Sequence, residues 1–302
     1  MNIIQTLPKE YIEKIKNLFG EEGEKWLDNL ENVINDNIKK YGLTDLKPVK
    51  NLSYNFVATA KSTRYGDVII KIGLPDKDTI QEITALSIYN GNHACKCYEH
   101  DFKQGFYILE KLNPGTSLLN ESNREKRIEI FCDLVKKLPV KVESNIKLPT
   151  FRETIDKAFN IARKDKKKYE KIIEYIEIAD TEYKKIEDLN LDKYVLHGDL
   201  HHENILLDGD TYKAIDPHGR IGEKILEVGT FIENEIWNFG ESSEQIRDII
   251  YKVAKNINED TRIIAKVAFI IIVLSTAWSI EGNEMEMVER NYVICKELSN
   301  YI

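Results

Sequence analysis

A short segment in the second half of the chain places polar side chains in a fixed order that few folds can accommodate. His197 and Asp199 come directly after an apolar triplet, and Asn204 follows Asp199 by five positions. Two short apolar runs on either side of an Asp-Gly-Asp triplet then lead to Asp216. Because an Asp-Gly pair between such runs is a strong hairpin signal, the pattern predicts a return strand that brings Asp216 back beside Asn204.

This order of residues suits phosphoryl transfer. The reaction requires little covalent chemistry from the protein. It depends on an acceptor hydroxyl that is held in line and on divalent metal that neutralises the phosphate charge. In kinases an Asp accepts from the hydroxyl, an Asn five positions later binds magnesium, and an acid after the next hairpin also binds magnesium. We therefore assign Asp199 as the catalytic residue, and Asn204 and Asp216 as ligands of Mg²⁺.

The histidines of the same segment allow another interpretation. His197, His201, His202 and Glu203 could form a zinc site, since His side chains four positions apart on a helix can bind this metal. The segment does not match the HExxH spacing, however, and Gly198 together with the hairpin favours a loop over a helix. The kinase interpretation is favoured.

Composition and charge narrow the class of protein. The 302 residues are 42% hydrophobic and 31% charged, which is typical of a globular chain. The net charge is −8, whereas proteins that bind nucleic acid usually carry a basic surface, so we expect no nucleic-acid partner. The most apolar stretch, residues 267–280, is too short to span a bilayer and predicts a core helix. We expect a cytoplasmic monomer with no membrane association and with reduced cysteines.

The order of periodicities predicts an α+β fold with two lobes. Helical spacing of apolar residues in the first forty residues gives way to strand-like runs between residues 51 and 112, interrupted by one helical pattern. Asn113, Pro114 and Gly115 break this pattern, and most of the chain beyond them has helical periodicity. We expect a β-rich lobe with a helical N-terminal extension over residues 1–112 and a mostly helical lobe over residues 113–302.

The strings HGDLHHEN at 197–204 and AIDPHGRIGE at 214–223 resemble the aminoglycoside phosphotransferase branch of the protein-kinase-like superfamily. The His-His pair and the IDP-x-G-x-x-GE continuation are most similar to the aminoglycoside/hydroxyurea antibiotic resistance kinases, which include streptomycin phosphotransferases. The resemblance implies a bilobal protein-kinase-like fold, with a small β-rich nucleotide lobe and a larger helical catalytic lobe. It also implies transfer of the γ-phosphate of ATP or GTP to a hydroxyl of a cationic small molecule, with streptomycin as the leading candidate.

The resemblance extends to two residues of the nucleotide lobe. Lys71, in the apolar run VIIKI, matches the strand lysine that contacts the α- and β-phosphates. Glu82 would orient Lys71 through an ion pair. The alternatives are a surface lysine on a strand edge and an exposed helix acid.

Other parts of the nucleotide lobe are less well defined by the sequence. Protein kinases cover the phosphates with a Gly-rich loop, but residues 51–56 contain no glycine. Ser53 and Asn55 could offer hydroxyl, amide and backbone N–H groups instead. The backbone around Glu110 and Leu112 would bind the purine, and since backbone recognition leaves no side-chain signature, the choice between ATP and GTP stays open.

The acceptor pocket is the least determined part of the site. We assign Glu227, Glu233, Glu235 and His202 as substrate-binding candidates, because carboxylates suit guanidinium and ammonium groups. A solvated helix face is the alternative for the glutamates. Glu227 also stands where the related kinases tend to carry an Asp, which leaves the packing under the catalytic loop open.

Two other functions compete with an antibiotic kinase. One is a kinase of another small alcohol or amino sugar, and the other is a catalytically inactive binding module. The presence of Lys71, Asp199, Asn204 and Asp216 argues against an inactive module. A protein-serine kinase is disfavoured, because the chain lacks the Gly-rich loop and an APE-type anchor after Asp216.

Overall fold

The computed structural model describes residues 6–143, 145–165, 169–240 and 242–302. The chain forms two compact units, residues 1–115 and 116–302. The break anticipated at Asn113 lies close to this boundary. The nucleotide-binding and catalytic roles assigned to the two units stay predictions.

Within its described residues, the first unit contains a five-stranded antiparallel sheet and two helices. Its elements are α1 (Lys9–Tyr41), β1 (Leu43–Pro48), β2 (Phe56–Ser62), β3 (Gly66–Ile72), α2 (Lys77–Tyr89), β4 (Cys97–Asp101) and β5 (Phe106–Glu110). The strand order is β1-β2-β3-β5-β4. Strand β1 was not anticipated, because four of its six residues are exposed and it carries no alternating pattern.

Helix α1 packs an apolar face against this sheet. The helix bends at Gly20, whose φ of 54° and ψ of −133° are not helical. It ends at Gly42, which adopts the left-handed conformation and donates its N–H to the carbonyl oxygen of Ile38. The indole of Trp26 is buried and donates to the carbonyl oxygen of Gly73 at 3.0 Å. The N-terminal helical extension expected from the sequence is therefore present and belongs to the core of the first unit.

The second unit is mostly helical. Its helices are α3 (Arg124–Lys137), α4 (Phe151–Ala162), α5 (Glu170–Asp188), α6 (Val228–Phe239), α7 (Ser243–Ile257), α8 (Thr261–Glu281) and α9 (Met285–Leu298). Its strands are β6 (Pro114–Ser117), β7 (Val140–Lys141), β8 (Lys193–Leu196), β9 (Ile205–Asp208), β10 (Thr211–Ala214) and β11 (Arg220–Glu223). They form two small sheets, in the orders β10-β9-β6 and β11-β8-β7.

Helix α8 is the centre of the second unit. It contacts α4, α5, α6, α7 and α9. Its length and apolar composition would also allow it to cross a membrane, but 78% of its most apolar window is buried inside the protein. The core helix predicted over residues 267–280 is confirmed.

Candidate active site

The segment from His197 to Asn204 forms a loop between β8 and the β9–β10 hairpin. Strand β8 pairs with β11, so that Leu196 lies opposite Arg220. Gly198 has a φ of 77°, and a Cβ atom there would lie 2.8 Å from Cγ of Arg220. Glycine is therefore required at this position, which turns the chain sharply just before Asp199.

The predicted hairpin is present and brings the candidate residues together. The amide Nδ2 of Asn204 donates to the carbonyl oxygen of Asp199 at 2.9 Å and lies 3.4 Å from its Oδ2. The N–H of Ile215 donates to the carbonyl oxygen of Asn204 at 2.9 Å. Asp216 is the next residue, so the return strand sets it beside the loop.

These side chains fit a magnesium ion. Because Nδ2 of Asn204 is used toward Asp199, its Oδ1 is the amide atom that could bind a cation, and Asp216 would add a carboxylate. Oxygen ligands of this kind, few in number and completed by phosphate oxygens, are typical of Mg²⁺ in phosphoryl-transfer sites. Within the described residues, no group of three or more His, Cys, Asp or Glu side chains could hold a metal. The zinc interpretation of the histidines thus finds no cluster in this part of the chain.

His197 connects the loop to the returning strand. Its ring is fully buried, with Nε2 2.7 Å from the carbonyl oxygen of Ile215 and Nδ1 accepting the N–H of Asp199 at 3.2 Å. These bonds assign the neutral tautomer with the proton on Nε2. Burial lowers the pKa of His197 to about 3. The neutral ring therefore acts as a structural bridge that fixes the backbone of Asp199.

Burial and several nearby charged groups shift the pKa of Asp199. Burial raises the pKa of Asp199 to about 7, and the nearby carboxylates of Asp216 and Glu227 act in the same direction. Arg220 and the hydrogen bond from Asn204 lower this pKa. The Arg220 side chain was given no role from the sequence. The pairing of β11 with β8 places it at the loop, and this pairing leaves no local pattern in the sequence.

Glu227 lies beneath the loop from His197 to Asn204. Its carboxylate accepts the backbone N–H of His197 at 2.6 Å and that of Gly198 at 3.0 Å. Both carboxylate oxygens are therefore used inside the protein, and burial raises the pKa of Glu227 to about 7. This geometry revises its expected substrate role: Glu227 supports the loop, which resolves the open question about the packing there.

Glu235 and His202 are also engaged inside the protein. Nε2 of His202 lies 2.7 Å from Oε2 of Glu235. The same carboxylate forms ion pairs with Arg127 and Arg124. Both Glu235 and His202 are buried, so their expected contact with substrate is revised as well.

Glu233 is the third glutamate assigned to the substrate. Its side chain is buried against Ser275 of α8 and Asn291 of α9, and its Oε1 has no hydrogen-bond partner among the described residues. Burial raises the pKa of Glu233 to about 8, and the charge of Asp199 adds to the shift. The solvated-face alternative is wrong for all three glutamates, since each is buried.

The buried carboxyl of Glu233 predicts a pH-dependent stability. Its folded pKa of about 8 lies above the ordinary 4.5, so its favourable contribution is complete below pH 4.5 and is lost as the pH rises through 8. Glu233→Gln, which resembles the protonated form, should remove this loss. We expect the variant to gain stability over wild type by on the order of 2–3 kcal/mol between pH 5.5 and 8. Urea unfolding at both pH values measures this, and an equal difference at both would contradict it.

Lys71 and Glu82 form a buried ion pair in the first unit. Nζ of Lys71 on β3 lies 2.8 Å from Oε1 of Glu82 on α2. Only 5% of the Lys71 surface is exposed, so the surface-lysine alternative is wrong. The pairing expected from the sequence is present, and contact of Lys71 with phosphate stays a prediction.

The remaining nucleotide candidates flank the sheet of the first unit. Ser53 and Asn55 lie in the connection between β1 and β2, and Ser53 is exposed. Oε2 of Glu110 accepts the N–H of Lys96 at 3.1 Å, and Leu112 is buried. Their roles in nucleotide binding also stay predictions.

Solved structures share this architecture. A choline kinase from Streptococcus pneumoniae matches 90% of this chain and 100% of its own with a TM-score of 0.63 and 16% identity. A thermostable mutant of aminoglycoside phosphotransferase APH(4)-Ia, in a ternary complex with ADP and hygromycin B, matches with a TM-score of 0.60 and 12% identity, over 88% of this chain and 97% of that one. The protein therefore has a protein-kinase-like fold, as the sequence predicted.

The sequence also matches a known family. Residues 52–282 match the model of the aminoglycoside/hydroxyurea antibiotic resistance kinases. A curated relative, the streptomycin 6-kinase of Streptomyces glaucescens, is 22% identical over 132 residues, which is 44% of this chain and 43% of that protein. The match thus spans less than half the length of this relative. The protein belongs to the aminoglycoside/hydroxyurea antibiotic resistance kinase family, which confirms the resemblance found in its sequence.

Proposed function

We propose that the protein is an O-phosphotransferase that moves the γ-phosphoryl group of ATP to a hydroxyl of streptomycin. The observation that carries this proposal is the grouping of Asp199, Asn204 and Asp216 by one loop and one hairpin, in a chain of this kinase family. The streptomycin 6-kinase relative supports the choice of acceptor.

Asp199 would receive the acceptor hydroxyl. In the transfer the bond between the γ-phosphorus and its bridging oxygen breaks, a bond from the hydroxyl oxygen to phosphorus forms, and the hydroxyl proton leaves toward the Asp199 carboxylate. Holding the hydroxyl in line is the main contribution of this residue. The bonds from His197 and Asn204 fix the backbone of Asp199 for that purpose, and Nδ2 of Asn204 also lies 3.4 Å from Oδ2 of its carboxylate.

Nucleotide binding would use the polar groups assigned from the sequence. Lys71, oriented by Glu82, would contact phosphate oxygens, with Ser53 and Asn55 as further donors. Mg²⁺ held by Asn204 and Asp216 would neutralise charge on the phosphates when bound. GTP in place of ATP is compatible with the same groups.

A cationic acceptor suits the acidic interior of the second unit. Of the three glutamates assigned to the substrate, Glu233 alone has a carboxylate oxygen without a hydrogen-bond partner among the described residues. The charge of Asp199 raises the pKa of Glu233, so the two acids share one electrostatic environment. We therefore keep Glu233 as the candidate partner for a guanidinium group of the substrate, whose positive charge would lower this pKa and favour the ionised carboxylate.

A coupled nucleotide-turnover assay over a panel of acceptors tests this proposal. Streptomycin should stimulate turnover, with a KM that rises with salt because salt screens the attraction between a cationic acceptor and a protein with a net charge of −8. Glu233→Gln should raise the KM for streptomycin more than it lowers kcat, since this residue would bind without reacting. Stimulation by choline or a neutral sugar but by no aminoglycoside would overturn the antibiotic assignment and leave a kinase of another small alcohol.

A further inference from the structure

A buried ionic cluster lies next to the catalytic loop. We call Glu235, Arg127, Arg124 and His202 the Glu235 cluster. Arg127 donates Nε to Oε2 of Glu235 at 3.0 Å and Nη2 to Oε1 at 2.6 Å, while Arg124 donates Nε to Oε1 at 3.3 Å. The surface of Glu235 is 0% exposed and that of Arg127 is 1% exposed, so the centre of this cluster does not meet solvent.

Aromatic rings enclose the cluster and fix the plane of the His202 ring. This ring stacks on Phe231 with centroids 4.3 Å apart, and Phe231 stacks in turn on Phe131 at 3.9 Å. The guanidinium of Arg127 lies 3.5 Å from the centroid of Phe239. The imidazole is thus held between a carboxylate at its edge and an aromatic ring at its face.

The hydrogen bonds of His202 link this cluster to the loop. Its Nε2 lies 2.7 Å from Glu235 and its Nδ1 has no partner among the described residues, which assigns the Nε2–H as the donor. Its carbonyl oxygen accepts the hydroxyl of Ser117 at 2.9 Å. His202 is therefore fixed at both its side chain and its backbone.

His202 opens the short 3₁₀ turn that ends at Asn204. Asn204 in turn holds Asp199 through the bond from its Nδ2. A change in the position of His202 would therefore move Asn204 and release the backbone of Asp199. We infer that Glu235, acting through His202, is a positioning residue for the loop that carries Asp199 and Asn204.

An ionic cluster of this kind is not needed for stability alone. Desolvation of buried charges offsets most of their attraction, and apolar side chains of the same volume often stabilise a core equally well. The cluster instead fixes the orientation of the His202 ring. A carboxylate that accepts hydrogen bonds from one imidazole and two guanidinium groups allows few arrangements of these side chains. The expected effect of this positioning on catalysis rests on the proposed function. The expected ordering of the loop that carries Asp199 and Asn204 does not depend on that function.

The test uses His202→Phe in the full chain. Phenylalanine keeps the stacking on Phe231 and removes the bond to Glu235, which retains both arginines. Hydrogen–deuterium exchange should show amides of residues 199–204 exchanging at least about tenfold faster than in wild type. For phosphoryl transfer, kcat should fall by about 10–100-fold with the KM for the acceptor nearly unchanged.

Three further variants separate positioning from general destabilisation. Glu182 is a buried acid of α5 that pairs with Lys266 at 2.7 Å, so Glu182→Gln should lower the Tm and leave loop exchange and kcat unchanged. His202→Gln, which can still donate to Glu235, should recover part of the loss. Where Glu235→Gln folds, its effect and that of His202→Phe should not add in the double variant.

Normal exchange and normal kcat in His202→Phe, with only a lower Tm, would overturn the inference. A higher acceptor KM with unchanged kcat would also overturn it, because His202 would then contact substrate. If wild type phosphorylates no acceptor, the proposed function fails, and the exchange measurement still decides whether His202 orders the loop.

Discussion

Asp199→Asn should lower kcat for phosphoryl transfer by about 10²–10⁴-fold and leave the Kd for Mg·ATP within a few-fold of wild type. The amide has nearly the shape of the carboxylate and can still accept from Asn204, so the loop should keep its conformation. It cannot take up a proton from the acceptor hydroxyl. Steady-state kinetics and nucleotide titration of the same preparation separate the two effects.

The chain offers a matched control for this variant. Asp210 lies at the exposed tip of the β9–β10 hairpin, and Asp210→Asn should change neither quantity. Turnover of Asp199→Asn close to that of wild type would remove Asp199 from the reaction and with it the kinase interpretation of the loop. Equal losses in nucleotide binding and kcat would instead indicate a collapsed site.

Asp216→Asn should weaken magnesium-dependent nucleotide binding on the order of 10²-fold, because it removes the charged member of the proposed metal site. Asparagine is preferable to alanine, since Asp216 has a φ of 57° and Asn tolerates this conformation. Nucleotide titrations at several Mg²⁺ concentrations measure the effect. The variant should need more metal for the same binding.

Treatment of the native protein with a zinc-selective chelator gives the complementary result. We expect no change in activity, because the described histidines form no metal cluster. Loss of activity that is restored by zinc would contradict the magnesium assignment. If the magnesium dependence of nucleotide binding were unchanged in Asp216→Asn, that result would also contradict the magnesium assignment.

The catalytic half of the site was predictable because its geometry is local. Asp199, Asn204 and Asp216 lie within one loop and one hairpin, whose turn residues encode the return of the chain. The pairing of Lys71 with Glu82 was predicted from the family resemblance, and the ion pair is present. For the loop and hairpin, by contrast, the sequence separation is short and the motif carries its own spacing.

The environment of the glutamates was not predictable in this way. Glu235 meets Arg127 across 108 positions of sequence, and nothing in either helix alone indicates a buried acid. Glu227 binds backbone N–H groups, which leave no mark in a sequence. The acidic residues of α6 therefore suggested an exposed or substrate-facing helix, whereas packing against α3, α8 and α9 buries them.

We propose that this protein phosphorylates a hydroxyl of a small cationic molecule, and a gain in the mass of the acceptor would report that reaction. Streptomycin incubated with the full chain, ATP and Mg²⁺ should gain the mass of one phosphoryl group, as read by mass spectrometry. The gain should disappear when Asp199→Asn replaces wild type. A chain that binds Mg·ATP with Lys71, Asp199 and Asp216 intact, yet leaves streptomycin and every other alcohol of the panel unmodified, would contradict the claim and indicate an inactive binding module.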